Sequence, residues 1–137
     1  MARSKNKTFI SCQNSIKNNT KLKQMGVYFV IETVRTFDEA FQVCKSYHAE
    51  VAEFKNTSQS KGVLNGVIKH QIDKVYMIGA RRLNETSFEW ITSKITFVAK
   101  FTELDRTTNE YLGVNNKNSG LFIVNEKTID FGVLCQC

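Results

Sequence analysis

The chain has no proline, two histidines, one tryptophan and no long apolar run. Without proline, its loops must be shaped by glycine, asparagine and hydrogen bonds. No stretch approaches the roughly 18 to 20 apolar residues needed to cross a bilayer, so we expect no membrane span. The polar start, Met1 to Lys7, also lacks the apolar core of a signal peptide. We therefore expect either a mature fragment with an added Met or a cytosolic protein.

The motifs of common enzymes are also missing. His48 and His70 are the candidates for a near-neutral acid or base, and neither lies in a motif with a nucleophile. We interpret His48 as a helix-terminal residue and His70 as a surface residue. The sequence has no glycine-rich phosphate loop, serine nucleophile elbow or paired-carboxylate signature. We expect no enzymatic activity.

The composition is that of one small basic domain. A length of 137 residues with 42% hydrophobic content fits a single core. The net charge of +6 comes from basic residues scattered among Asn, Thr and acidic residues, without a dense block and interleaved aromatics. We therefore expect a solvated basic surface and no nucleic-acid binding.

Four cysteines are unevenly spaced along the chain. Cys135 and Cys137 lie in an extended-looking tail, where their Cα atoms would be about 6.6 to 7 Å apart on one face. A disulfide rarely spans that distance, so the two should take different partners, drawn from Cys12 and Cys44. Such closure is typical of secreted proteins. Four glycosylation sequons also favour an extracellular glycoprotein, at Asn6, Asn18, Asn56 and Asn84.

Hydrophobic periodicity divides the chain into an arm and a domain. Residues 1–24 are polar and predict an arm tied down by Cys12, with order beginning near Val27. A first helix is predicted by a capping box, Thr36 with Glu39, and by an apolar stripe that includes Cys44. A second helix is predicted from Asn56, with its stripe at Val63, Leu64, Val67 and Ile68.

Short apolar runs predict strands before and after these helices. The predicted strands are Val27 to Ile31, Val75 to Ala80, Phe88 to Ile91, Tyr111 to Val114, Leu121 to Val124 and Phe131 to Cys135. Most of them follow the helices. This order predicts an α+β domain with helices on antiparallel sheet, rather than a parallel βαβ fold.

Four motifs follow one another within residues 25–137. They are the cysteine-bearing helix, Tyr76-Met77-Ile78-Gly79-Ala80, Phe88-Glu89-Trp90, and the aromatic-to-Cys ending. In this order they resemble the C-type lectin-like domain, which reads Trp-Ile-Gly-Leu at the second motif. The resemblance implies two helices packed on small antiparallel sheets with a long-loop region. It also implies that Trp90 is a core residue.

The resemblance implies a bond between Cys44 and Cys135. The family's second internal bridge is absent, because its positions fall near Tyr111 and Lys127. Cys12 to Cys137 would then be an extra bond joining the termini. The alternative is an interchain bond that gives a disulfide-linked dimer, and a non-covalent dimer is also open. We expect no metal at Cys135-Gln136-Cys137, since no His or further Cys has ligand spacing around it.

The calcium and sugar motifs of the family have no counterpart here. The first should fall within Phe101 to Glu110, which has no proline and places Arg106 among the ligands. At the second stands Phe122-Ile123-Val124, which cannot coordinate a hard cation. We therefore expect no calcium and no other cofactor.

The candidate ligand-binding residues lie in two places. Arg81 and Arg82, after the Met-Ile-Gly-Ala run, would engage an acidic partner or a sulfated glycan, or be simply exposed at a strand end. The other candidates, whose alternative interpretation is solvated loop charge, are Glu103, Asp105, Arg106, Asn109 and Glu110.

The resemblance implies a secreted, calcium-independent recognition module. We expect it to bind a protein partner, in innate immunity or in cell-surface or extracellular recognition. The alternative is a carbohydrate-binding lectin with non-standard or calcium-independent glycan recognition.

Overall fold

A computed structural model describes residues 2–54, 59, 62–63, 66–67, 74–98, 110–114, 121–125 and 131–137. Two helices and nine strands have complete bounds in this part of the chain. The helices are α1 (Ala2–Lys17) and α2 (Phe37–Ser46). The strands are β1 (Lys23–Met25), β2 (Tyr28–Val34), β3 (Glu50–Val51), β4 (Tyr76–Arg82), β5 (Ser87–Trp90), β6 (Thr96–Val98), β7 (Glu110–Val114), β8 (Leu121–Asn125) and β9 (Phe131–Gln136).

The described strands form one mixed sheet. The main order is β1-β2-β9-β4-β5-β6, with β3 on β9 and with β7 between β4 and β8. The pairing of β4 with β9 is parallel, with Tyr76 opposite Gly132, and the other pairings are antiparallel. A Cβ at Gly132 would lie 2.6 Å from the Tyr76 ring, so the missing side chain lets these strands meet. We expected small antiparallel sheets. The described strands instead form one mixed sheet, because β4 and β9 pair in parallel.

The predicted first helix is confirmed as α2. Thr36 is its N-cap, and its hydroxyl accepts a hydrogen bond of 3.0 Å from the Glu39 N–H. Ala40 and Cys44 form its buried stripe. His48 follows the helix with φ of 61° and is exposed, so its helix-terminal placement is confirmed. His70 lies outside the described residues.

The second predicted helix is described in part. Gln59, Gly62, Val63, Gly66 and Val67 are helical. Val67 is 8% exposed in the core, and Val63 packs against the same cluster. The predicted start at Asn56, and the stripe residues Leu64 and Ile68, lie outside the described residues.

The prediction of an arm ordered only from Val27 is wrong, because α1 and β1 precede that residue. Among residues 7–17, the two buried side chains are Cys12 and Ile16, which join the core beside α2. The Gln24 side chain donates a 2.7 Å hydrogen bond to the Ile16 carbonyl. A polar segment thus becomes a helix because two apolar side chains and one disulfide hold it to the domain. As expected, a disulfide at Cys12 attaches this segment to the domain.

Both disulfides lie within the chain. Cys44 bonds to Cys135 and Cys12 to Cys137, with Cα separations of 5.6 and 5.5 Å. All four cysteines are paired. The pairing expected from the resemblance is therefore confirmed, with both bonds intrachain.

Side chains of alternating residues fill the two faces of the sheet. Phe29, Met77 and Val133 belong to the cluster that contains α2 and both helix cysteines. Their neighbours in sequence belong to the second cluster, which contains Trp90 at 4% exposure. Since successive strand residues point to opposite faces, the sheet is buried on both sides. The core placement of Trp90 is confirmed.

No helix in the described part of the chain is long and apolar enough to cross a membrane.

Candidate binding face around the β5–β6 turn

The turn between β5 and β6 separates two surface grooves. Within it, the Lys94 N–H donates to the Trp90 carbonyl at 2.8 Å, and the Trp90 N–H donates to the Ile95 carbonyl at 2.9 Å. Lys94 has a φ of 65°, in the left-handed region that residues other than glycine rarely adopt. Ile91 and Lys94 line one groove, whereas Ser93 and Ile95 line the other. We call them the cationic groove and the Glu53 groove.

The sheet register builds the cationic groove. Arg81 on β4 lies opposite Glu89 on β5 and opposite Tyr111 on β7, so the three side chains cross one face of the sheet in a row. The groove measures about 230 Å³ and is lined by Phe41, Arg81, Glu89, Ile91, Lys94 and Tyr111.

Two aromatic rings, from α2 and β7, line this groove together with its charged side chains. The Phe41 and Tyr111 rings meet edge to face, with centroids 5.7 Å apart. Burial raises the pKa of Tyr111, the nearby Arg81 lowers it, and Asp38 raises it, so that the net shift is upward. The phenol therefore stays protonated at neutral pH and can donate or accept a hydrogen bond.

Arg81 is an exposed cation of the groove. Its side chain is 48% exposed, and its Nη2 lies 3.8 Å from Glu89 Oε1. Within the part of the chain that the structure describes, this is the ion pair that Arg81 forms. Because a long, exposed ion pair contributes little, Arg81 can turn toward a ligand. With Lys94, the groove carries two positive charges against one negative charge.

The Glu53 groove has an aromatic floor and one acid. It measures about 360 Å³ and is lined by Glu53, Phe54, Trp90, Ser93 and Ile95. The Glu53 carboxylate accepts hydrogen bonds from the backbone N–H groups of Thr92 and Ser93. These bonds hold the turn against the segment after β3.

Comparison with known proteins gives a match in structure and none in sequence. No family model and no curated protein matches the chain. Among solved structures, the Ca2+-independent C-type lectin SPL-2 from Saxidomus purpuratus superposes with a TM-score of 0.56 at 20% identity, over 86% of this chain and 91% of that chain. Botrocetin superposes with a TM-score of 0.53 at 17% identity, over 86% of this chain and 98% of that chain.

The chain has a C-type lectin-like fold. The expected α+β class is therefore confirmed.

Within the C-type lectin-like fold, Arg82 and Glu110 face inward. Arg82 Nη1 lies 3.1 Å from Glu110 Oε1, and the two side chains are 5% and 4% exposed. Arg82 also donates to the carbonyls of Asn84 and Glu85. Adjacent strand residues point to opposite faces, so Arg81 is exposed and Arg82 is not. The prediction that Arg82 and Glu110 contact a ligand is therefore corrected, because they pair with each other in the interior. The alternative of a solvated Glu110 is corrected for the same reason.

The other candidates in the long-loop region lie outside the described residues, namely Glu103, Asp105, Arg106 and Asn109. At the second calcium motif, Val124 is fully buried on β8. In the described ranges, no group of three or more His, Cys, Asp and Glu side chains is placed to hold a metal.

The sequons fall in different surroundings. Asn18 and Asn84 are exposed, and the Asn84 side-chain oxygen accepts from the N–H groups of Thr86 and Ser87. Asn6 lies in α1, where its side chain is not described. Asn56 lies outside the described residues.

Sequence reasoning missed most of the binding face. Glu53, Glu89 and Lys94 were not singled out, and Tyr111 was noted as the place of a missing cysteine. The signal for Arg81, Glu89 and Tyr111 is their shared register across three strands. That register depends on pairing between segments far apart in the chain.

Proposed function

We propose that this protein is a secreted recognition module that binds a protein partner without calcium, through the cationic groove. The observation that carries this proposal is an exposed Arg81 beside the buried ring of Tyr111, with Lys94 at the same groove.

The groove has the composition of a protein-binding site. Tyrosine and arginine are enriched among the residues that dominate interface energies. The Arg81 guanidinium can form two parallel hydrogen bonds with a carboxylate, and its existing bond to Glu89 is long. Ile91, which also lines the groove, adds apolar contact area. We infer a partner with an acidic side chain flanked by apolar residues.

The residues at the calcium motifs support binding without the ion. Calcium requires six to eight oxygen ligands. Glu110 is committed to Arg82, Val124 is buried, and the sequence before Glu110 has an arginine at position 106. The fold neighbour SPL-2 is itself a Ca2+-independent C-type lectin. Two disulfides in so small a domain support secretion and a role in extracellular recognition, such as innate immunity or cell-surface binding.

The test is capture of a partner by the immobilised protein from its source fluid. We compare the unaltered protein with Arg81→Ala, in calcium and in chelator. Arg35→Ala is the matched control, because Arg35 is an exposed arginine away from the groove. We expect one protein partner to be retained equally in calcium and chelator, with affinity lowered about tenfold or more in Arg81→Ala and unchanged in Arg35→Ala.

Four results would overturn the proposal. The unaltered protein captures no partner, capture needs calcium, Arg81→Ala captures the partner as well as the unaltered protein, or Arg35→Ala loses as much binding as Arg81→Ala.

A glycan ligand is the second candidate function. The two cations that line the same groove as Phe41 and Tyr111 also suit a sulfated or carboxylated sugar, with its apolar ring face on the aromatics. A glycan array in calcium and in chelator tests this. Binding confined to anionic glycans and lost in Arg81→Ala would favour a lectin, whereas flat signals in both conditions would remove this candidate.

A further inference from the structure

We propose that the Glu53 groove is a receptor for an arginine side chain of a partner. The cationic groove would take an acidic group, whereas this groove is lined by one carboxylate and by the aromatic side chains of Phe54 and Trp90. The inference adds to the proposed function, since it names a second chemical group that a partner would present. It is testable with a small molecule that never touches the cationic groove.

The carboxylate is fixed in position and lacks a described counterion. Ser93 N–H donates to both Glu53 oxygens, at 3.2 and 3.3 Å, and Thr92 N–H donates to Oε2. No cation in the described ranges forms an ion pair with Glu53. Oε2 accepts from both N–H groups and Oε1 from one, so one of the about four acceptor sites of the carboxylate remains free, on Oε1. A guanidinium can therefore bind without displacing the turn.

The aromatic floor is rigid. Phe54 and Trp90 are 6% and 4% exposed, and their rings meet edge to face with centroids 6.5 Å apart. Tyr28 stacks on Phe54 at 5.6 Å, and Phe97 stacks on Trp90 at 4.9 Å. Because these neighbours hold both rings, the floor needs little ordering when a ligand arrives.

The outer wall suits an apolar stem. Ile95 is 61% exposed at the edge of the groove, beside the carboxylate end formed by Glu53 and Ser93. The volume of about 360 Å³ falls within the roughly 300–1,000 Å³ of small-ligand sites. Arginine combines a three-carbon stem with a flat head that both stacks on rings and forks onto a carboxylate. Lysine offers the stem but only a point charge.

The opposite charges of the two grooves would fix the orientation of a partner that contacts both. The protein carries a net charge of +6, so an acidic site for a cation stands out from its surroundings. A partner that straddles the turn would place an acid at Arg81 and Lys94 and an arginine at Glu53. Reversing that orientation would oppose like charges at both grooves.

The experiment is an NMR titration with Nα-acetyl-L-arginine methylamide. Its uncharged isostere, Nα-acetyl-L-citrulline methylamide, and the lysine analogue serve as comparison ligands. We expect saturable shifts at the Thr92 and Ser93 amides and at the Trp90 indole. The citrulline and lysine analogues should bind at least about threefold more weakly than the arginine analogue.

Two pairs of variants complete the test. Glu53→Gln should weaken arginine binding about fivefold or more, whereas Glu50→Gln removes the same charge at an exposed acid that lines neither groove and should change it less than about twofold. Ile95→Lys places a repelling charge at the groove edge without touching the Glu53 hydrogen bonds, and it should weaken binding similarly. Val98→Lys, at an exposed site outside the groove, is its control.

The inference is overturned if citrulline or lysine binds as well as arginine, or if the shifts lie elsewhere. It is also overturned if Glu53→Gln and Ile95→Lys both bind normally, or if the controls lose as much as their matched variants. The proposed function fails separately, through unchanged partner capture in Arg81→Ala, because the free arginine derivative does not report on that groove.

Discussion

The bond between Cys12 and Cys137 should decide whether α1 stays folded on the domain. The informative variant changes both cysteines to alanine, because Cys12 is fully buried and serine would leave a buried hydroxyl there. Alanine has a higher helix propensity than cysteine. The helix propensity of the new residue at position 12 therefore cannot cause a loss of helix.

This bond closes a smaller ring than its position suggests. Its cysteines are 125 residues apart, and those of the Cys44–Cys135 bond are 91 apart. Once the inner bond exists, the outer bond closes a ring of the difference, 34 residues. The chain-entropy model then gives about 3.8 kcal/mol for the outer bond, against about 4.9 kcal/mol if it stood alone.

Among the described residues, the core contacts of α1 are few. Burial of Ile16 contributes about 2 to 3 kcal/mol, and the Gln24 hydrogen bond about 1 kcal/mol. Against this stands the ordering of a 16-residue helix, which is marginal in water by itself. The disulfide contributes about 3.8 kcal/mol, which is more than the net stabilisation that these contacts provide once the cost of ordering the helix is subtracted. We expect α1 to unfold in the double variant while the sheet stays folded.

Amide hydrogen exchange with mass spectrometry measures both regions at once. Residues 2–17 should exchange at nearly unfolded rates in Cys12→Ala/Cys137→Ala, whereas β2, β4 and β9 keep their protection. The comparison variant Cys44→Ala/Cys135→Ala removes the bond between α2 and β9, and should lower protection throughout the sheet. If α1 remains protected without its disulfide, or if the sheet opens together with α1, the reasoning is refuted.

Three further predictions concern the core. Arg82→Ala should lower the free energy of unfolding by about 3 to 5 kcal/mol, since it leaves Glu110 buried and unpaired, whereas Arg82→Met/Glu110→Leu should cost far less in the same urea titration. Burial raises the pKa of Tyr76 above 10, so the unfolded chain loses this proton first and stability should fall as pH rises above 10; an equally steep fall in Tyr76→Phe would contradict this. Gly132→Ala should lower the melting temperature by an amount equivalent to about 1 to 3 kcal/mol, because its Cβ would meet the Tyr76 ring at 2.6 Å; an unchanged melting temperature would count against the β4–β9 packing.

Local patterns were sufficient for α2 and for six strands. The capping box at Thr36 and the apolar spacing up to Cys44 act within a few residues, so they are visible in sequence. The strands β1, β3 and β6 were missed because segments of two or three residues are too short to show an alternation of apolar and polar side chains. The parallel contact of β4 with β9 was missed because it joins segments more than fifty residues apart.

The candidate site was predicted less well than the fold. Arg81 and Arg82 are adjacent and chemically identical, yet one is exposed and the other is buried against Glu110. Only the strand's position in the sheet determines which of the two faces outward. The acid of the second groove, Glu53, carries no motif, and its contact with Thr92 joins residues 39 positions apart.

The sequence by itself determined the helix start, the strand segments, the spacing of the cysteines and the loss of the calcium motifs, because each depends on neighbouring residues or on side-chain chemistry alone. Tertiary structure decided that a polar N-terminal segment becomes α1, that Arg82 serves the core while Arg81 serves the surface, and that two grooves of opposite charge flank one turn. These outcomes depend on sheet register and on which distant residues share a face. Such information exists only once the chain has folded.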